Sequence, residues 1–374
     1  MLPPTIVMPE PKLEQVENQT PFPHMAFFKM APGRHFHDVV VVHGSFDLIE
    51  GRVPPAQKQS GPVLADRCWD SENAPRSSLK DAGDLLLYKP GTDVYVTGSA
   101  QSAQRQHRPR WSAGVMVLRE KAVLLRHFLE LTGPRHWQNG LFRGWHLSDP
   151  TPTDSVPLRY ELAYGGAFPK LAKPDSTGAA IKWKTCKINP SGSGFFDERS
   201  LDRDAQLPGP QFEDPATPIR GINKAYPLTG FGPVARFWQA RSQYAGTYDT
   251  HWRNQYHDAM AKGECPDYPP DFDMRFYQCA PPQLISAEHF HGDERIALGG
   301  LLADAPVLWA DLPGISLHAH VLAAAAPTQP PPIPLKLDTI HIDLDARRLN
   351  LSWRLCLPYE ADIRSIALTT GTAS

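Results

Sequence analysis

The segment from 230 to 282 opens GFGPVARFWQARSQYAGTYDTHW (230–252), passes through a polar connection, and closes YPPDFDMRFYQCAPP (268–282). It holds eleven aromatic residues in fifty-three positions, about twice the density of the whole chain. A buried Phe, Tyr or Trp removes roughly 150–250 Å² from water, so this stretch alone can nucleate a core. Gly230, Gly232 and Pro233 specify a tight turn, because glycine accepts positive φ and proline presets it. Arg236 and Arg241 flank Phe237 and Trp238 in the manner of structural arginines. From 271 to 277, Phe272, Met274 and Phe276 alternate with Asp271, Asp273 and Arg275, which reads as a half-buried strand.

Working outward, Val39 to Val42 form a continuous β-branched run, the mark of a strand buried on both faces. Gly44 and Gly51 bracket a further short strand over 45–50. Leu158, Tyr160, Leu162 and Tyr164 alternate until Gly165 and Gly166 end the pattern. Ile340, Ile342 and Leu344, a turn at 345–348, and Leu349, Leu351, Trp353 and Leu355 predict a hairpin. Residues 115–131 fit either a helical stripe or strands, and strands are favoured. Thr250 caps a predicted helix over 251–262 that Gly263 stops. Thirty-nine prolines, roughly twice the usual share, argue against long helices.

The expected fold is therefore mainly β: antiparallel sheets in a sandwich-like arrangement, long Pro/Gly-rich loops and few short helices. Its strands are expected at 39–48, 93–98, 158–164, 271–277, 339–344 and 349–355. An N-terminal arm spans 1–19 and a β-rich body 20–325, with a division into two lobes near 150 left open. A Pro-rich spacer and hairpin take 326–357, and 358–374 is a tail. No fixed-period repeat is visible.

Net charge is −2 and the sequence pI about 6.7, so no overall field draws nucleic acid or an anionic membrane. Five widely spaced cysteines without a CxxC pair fit reduced thiols rather than a disulfide scaffold. The first fifteen residues lack a basic region followed by an apolar one, so no signal peptide is expected. No run approaches the ~18 apolar residues of a membrane helix. A cytoplasmic location is the expectation.

Candidate chemistry is sparse. His35/His37, His289/His291 and His318/His320 could each present two imidazoles on one strand face, but no third metal ligand is evident. Asp271 and Asp273 could hold a cation or act as a glycosidase pair; Arg275 on the same face favours structural pairing. Glu161, among tyrosines, needs an arginine partner, for which Arg236 and Arg241 are the candidates. The cluster from Arg105 to Arg110 reads as an exposed turn. No nucleophile elbow, phosphate loop or dinucleotide fingerprint is present. No catalytic residue, metal or cofactor is expected.

The ordered words resemble a bacterial family known only as a domain of unknown function, whose members lie in type VI secretion gene clusters. They are GFGP…R…W…R (Gly230, Phe231, Gly232, Pro233, Arg236, Trp238, Arg241), GTYD…W (Gly246, Tyr248, Asp249, Trp252) and DFD…Q (Asp271, Phe272, Asp273, Gln283). Phe46 and Asp47, Lys89, Pro90 and Asp93, Tyr160, Glu161, Gly165 and Gly166, Asn189 and Pro190, and Trp353 and Arg354 match in order. The resemblance spans about 18 to 357. It implies an effector adaptor or chaperone that binds a cognate secreted toxin and a spike-tip (PAAR) protein, with no nucleic acid, membrane or small-molecule substrate. The alternatives are a carbohydrate-active hydrolase using Asp271, Asp273 or Glu161, and a structural spike component.

Overall fold

The computed structural model describes residues 15–170, 182–198, 201, 205–222, 224–323, 330–359 and 363–372. The β-branched run at Val39 sits inside a twelve-residue strand, Phe36–Asp47, at the heart of a five-stranded sheet. Its neighbours, in order across the sheet, are His24–Met30 on one side, then Arg348–Pro358, Lys336–Asp343 and Asp93–Thr97 on the other. All pairs are antiparallel except Lys336–Asp343 with Asp93–Thr97. Both faces of the Val run are covered, as its unbroken apolarity requires: Val40 and Val42 join the large core, Val39 and Val41 a smaller cluster with Leu86, Leu87 and Tyr277.

Residues 115–131 form strands, Arg110–Arg119 and Ala122–Thr132, the longest arms of a six-stranded sheet. A third sheet pairs Ile315–Ala323 with Ile363–Thr372. The large core draws on all three sheets, through Val42 and Ile340, Val115 and Leu129, and Leu317 and Ile366. The mainly β, antiparallel-rich expectation is met, with two α-helices, Gln239–Ser242 and Thr250–Lys262, among the described residues.

Local readings needed correction where side chains bond to nearby backbone. Residues 271–277 are not a strand: Asp273 accepts the Arg275 N–H at 2.8 Å and opens a 3₁₀ helix, Met274–Tyr277. Asp side chains compete with a ladder in this way. Phe272, Met274 and Phe276 still bury together, against the cluster around Tyr277. Residues 158–164 also turn, into a 3₁₀ helix Tyr160–Leu162 and a short strand Tyr164–Gly165. Gly44 ends nothing. A Cβ there would lie 3.0–3.2 Å from the rings of Phe46, Trp353 and Phe22, so glycine lets three rings pack over a continuous strand. Asp249, not Thr250, caps the longer helix, accepting the Trp252 N–H at 2.8 Å.

Parts of the expected arm and tail are built into a sheet. Gln15–Asn18, within the expected arm, runs parallel to Ile363–Thr372, within the expected tail. Residues 1–14, and 326–329 of the expected Pro-rich spacer, lie outside the described residues.

Candidate functional site

Period-two alternation gives the five-stranded sheet one apolar face, with Val42, Phe46, Ile340, Leu351 and Trp353 in the large core. The opposite face carries His43 and Ser45 on one strand, and Ser352 and Arg354 on the next. Thr339 and His341, then Asp93 and Tyr95, complete the cross-strand rows. All eight are buried. What covers them is a run of loop and short strand between 60 and 89, together with Tyr277 and Cys279. Between cover and sheet lies a cavity of about 210 Å³.

A chain of buried charges crosses this face. Lys89 Nζ donates to Asp93 Oδ2 at 2.8 Å and to Thr339 Oγ1 at 2.7 Å. The Thr339 hydroxyl donates to Asp338 Oδ1 at 2.7 Å, and Asp338 Oδ2 accepts from Arg354 Nε at 2.6 Å. Arg354 Nη1 donates to the main-chain oxygens of Asp84 and Leu86, tying the cover to the sheet. Asp93 Oδ2 also accepts the Cys279 N–H at 2.6 Å. The sequence words containing Lys89, Asp93 and Arg354 thus converge on one network, with Cys279 from the aromatic segment beside them.

Electrostatics follow from burial. Burial disfavours the Lys89 charge, but Asp93 leads the groups that outweigh it, and the ammonium is held above its usual range. Asp338 is likewise opposed by burial yet held low by Arg354 and Lys89. The Cys279 thiol is pushed up to about 12 by burial, against Lys89, which favours the neutral thiol. His341 stacks on Tyr95 at 4.6 Å, bonds Thr97 Oγ1 at 2.7 Å, and is pulled down by burial to about 4. His43 is lowered by burial against Asp84, Asn350 and Asp81.

The aromatic segment builds a second unit. Tyr160 donates its hydroxyl to Gly232 O at 2.9 Å and meets Trp238 edge-on at 5.0 Å. A Cβ on Gly230 would lie 2.4 Å from the Tyr160 ring, so only glycine lets that turn close. Phe231 and Trp238 are fully buried, and after Pro233 the Val234 N–H reaches Cys279 O at 2.7 Å. Asn189 Nδ2 donates to Tyr160 O and Tyr164 O, while the Gly166 N–H donates back to Asn189 O, so Gly165 and Gly166 brace the same knot.

The remaining named residues separate from this centre. Among the described residues no arginine pairs with Glu161; it accepts from the Ser78 N–H at 2.7 Å and Ser78 Oγ at 2.6 Å. Arg236 instead pairs with Asp66 at 3.1 Å, and Arg241 donates to the carbonyls of Phe276 and Val234. Asp271 accepts from Thr247 beside Gly246, and Asp273 pairs with Arg275 at 2.6 Å. Tyr248 lies edge-on to Trp252 at 4.6 Å, and Gln283 is exposed. Asp47 pairs with Arg348 across the sheet. Pro90 lines a separate groove with His289 and His318. His289 and His320 bond Lys89 O and Thr369 Oγ1 respectively. Among the described residues no three His, Cys, Asp or Glu side chains are grouped to hold a metal.

Sequence reasoning assigned no role to His43, Asp84, Asp338, Thr339 or His341, although all but Asp84 fall within the words that match the family, 39–47 and 338–343. For His43, Thr339 and His341 the signal was present as polar positions alternating with Phe46, Ile340 and Ile342; Asp338, at a break in the strand register, and Asp84, in the covering run, had none. Also unanticipated is the hairpin His136–Gly140 and Gly144–Leu147, whose turn carries Leu141 and Phe142, each 100% exposed. Its base is fixed by Trp137, which is fully buried.

No helix among the described residues is long and apolar enough to cross a membrane. Neither a curated protein nor a solved structure matches the chain. A family profile described as an uncharacterized protein conserved in bacteria (DUF2169) matches residues 33–354, and the chain belongs to that family.

Proposed function

We propose that this protein is a non-catalytic adaptor of type VI secretion. In this reading it binds one cognate toxin in the cytoplasm and promotes that toxin's loading onto the spike-tip protein. The observation that carries the protein-binding part is the Leu141–Phe142 turn. Two large apolar side chains stand wholly in water on a hairpin whose base is anchored by buried Trp137. Burying either would gain roughly 1.5–3 kcal/mol, which a partner's apolar pocket supplies. Secretion as the setting comes from the sequence resemblance.

The hydrolase alternative is less well supported. Asp271, Asp273 and Glu161 are each engaged by neighbours, Thr247, Arg275 and Ser78. The test is the double variant Leu141→Ser/Phe142→Ser. It should keep the wild-type melting temperature yet lose co-purification with the neighbouring toxin and that toxin's export, while other substrates still leave the cell. Undiminished toxin export by the double variant would refute the hairpin as the docking element.

A further inference from the structure

Among the described residues three arginines are buried: Arg135, Arg241 and Arg354. Arg135 faces Glu213 at 3.2 Å, and Arg354 holds Asp338 at 2.6 Å. Among the described residues Arg241 has no carboxylate within ion-pair distance, and Asp66 and Asp93 act on its charge only from further away. It is 3% exposed, and its Nε and Nη1 donate only to the main-chain oxygens of Phe276 and Val234. A buried cation without a neutralising partner is costly, so its surroundings bear on what completes it.

Arg241 lines the 210 Å³ cavity over the polar sheet face. That volume is far above the ~10–15 Å³ that admits one water. The acids lining it are already engaged. Asp66 pairs with Arg236, Asp81 with Arg67 and Asp84 with Arg354 at 3.7 Å, while Asp343 accepts the Ala346 N–H. Of the lining cations, Lys89 is neutralised by Asp93 and Arg67 by Asp81. Arg241 and Lys80 are left without a carboxylate partner among the described residues; Lys80 Nζ only overlies the Trp69 ring at 5.3 Å. His43 is a second, independent sign. It lines the same cavity, is 6% exposed, and neither ring nitrogen meets a partner of good hydrogen-bond geometry among the described residues, the nearby Asn350 oxygen already accepting from Ser45 Oγ at 2.8 Å.

We propose that this cavity is a binding site for a small oxyanion, a carboxylate or phosphate compound, with Arg241 receiving its negative charge. Lys80, exposed at the cavity wall, adds a second positive charge, and His43 offers a hydrogen bond to the same molecule. A guanidinium suits such a ligand because its planar fork matches two oxygens at once. The site is independent of the hairpin surface and of the adaptor reading.

Phosphate, sulfate, acetate and citrate, each titrated into the full chain by calorimetry, test this, with chloride at matched ionic strength as control. At least one should bind saturably at one site and raise the melting temperature with concentration, as a ligand of the folded state does. Arg241→Lys keeps charge but loses the fork and should weaken binding. Should that variant fail to fold, Lys80→Glu decides the matter. Being exposed, it should leave the ligand-free melting temperature unchanged and weaken binding about tenfold or more. The proposal fails if none of the four binds saturably below about 10 mM, or if Lys80→Glu binds as tightly as wild type.

Discussion

Trp238→Ala tests whether the aromatic segment is the keystone of the core. The indole is fully buried, edge-on to Tyr160 at 5.0 Å, and sits in the large cluster with Phe231 and Val234. Deleting a buried Trp to Ala costs ~3–5 kcal/mol through lost burial and the cavity left behind. One feature lowers the figure: Trp238 Nε1 is buried without a hydrogen-bond partner among the described residues, so removing it also removes an unsatisfied donor. The expected loss is therefore about 3 kcal/mol, at the lower end of that range. With an unfolding entropy of about 2.1 cal/mol/K per residue over 374 residues, each kcal/mol moves the midpoint by about 1.3 °C. Differential scanning calorimetry should show a drop of about 4 °C. Trp238→Phe keeps a ring against Tyr160 and drops the orphan donor, so its midpoint should lie much nearer wild type. An unchanged midpoint for Trp238→Ala, or equal damage from both variants, would refute the reasoning.

Gly230→Ala should destabilise by ~1–3 kcal/mol, because its Cβ would fall 2.4 Å from the Tyr160 ring; thermal melting with and without Tyr160→Ala checks the clash. Lys89→Met should cost ~3–5 kcal/mol by leaving Asp93 charged and buried, and Lys89→Met/Asp93→Leu should recover part of it in a denaturant double-mutant cycle. Stability should rise with pH between about 4 and 6.5. The folded pKa of His341 is depressed to about 4, so the unfolded chain binds the extra proton in that window and acid favours unfolding. His43, shifted the same way, adds to the slope, and a His341→Gln variant should flatten it in urea melts across that range.

Much of the architecture was legible because it rests on long-range apolar alternation. The Val39 run, the strands over 115–131 and the final hairpin have continuous buried patterns that local chemistry does not interrupt. Two readings failed where a polar side chain bonds the backbone, once close by and once far along the chain. Asp273 captures the Arg275 N–H and folds 271–277 into a 3₁₀ turn although the hydrophobic spacing is that of a strand. At 158–164, Tyr160 is bent toward Gly232 by a hydroxyl bond to a residue seventy-two positions away. Alternation records which side chains are apolar, and these two segments differ from strands only in where the polar ones bond.

The buried polar face was hidden for a different reason. His43 and Ser45, Thr339 and His341, and Ser352 and Arg354 each alternate with core residues, a pattern that ordinarily marks a solvated sheet face. Whether water or protein lies over such a face is decided elsewhere in the chain, here by the proline- and glycine-punctuated run between 60 and 89. That run has little apolar periodicity because it covers polar groups, so its partner surface must supply ions and hydrogen bonds rather than methyl groups. Arg354 shows the coupling directly, one guanidinium binding Asp338 in the sheet and the carbonyls of Asp84 and Leu86 in the cover. Charge complementarity fixes the cover in one register where apolar packing would tolerate several. Arg241 is where that complementarity is incomplete within the described chain, which is why the proposed oxyanion site is centred on it rather than elsewhere on the face.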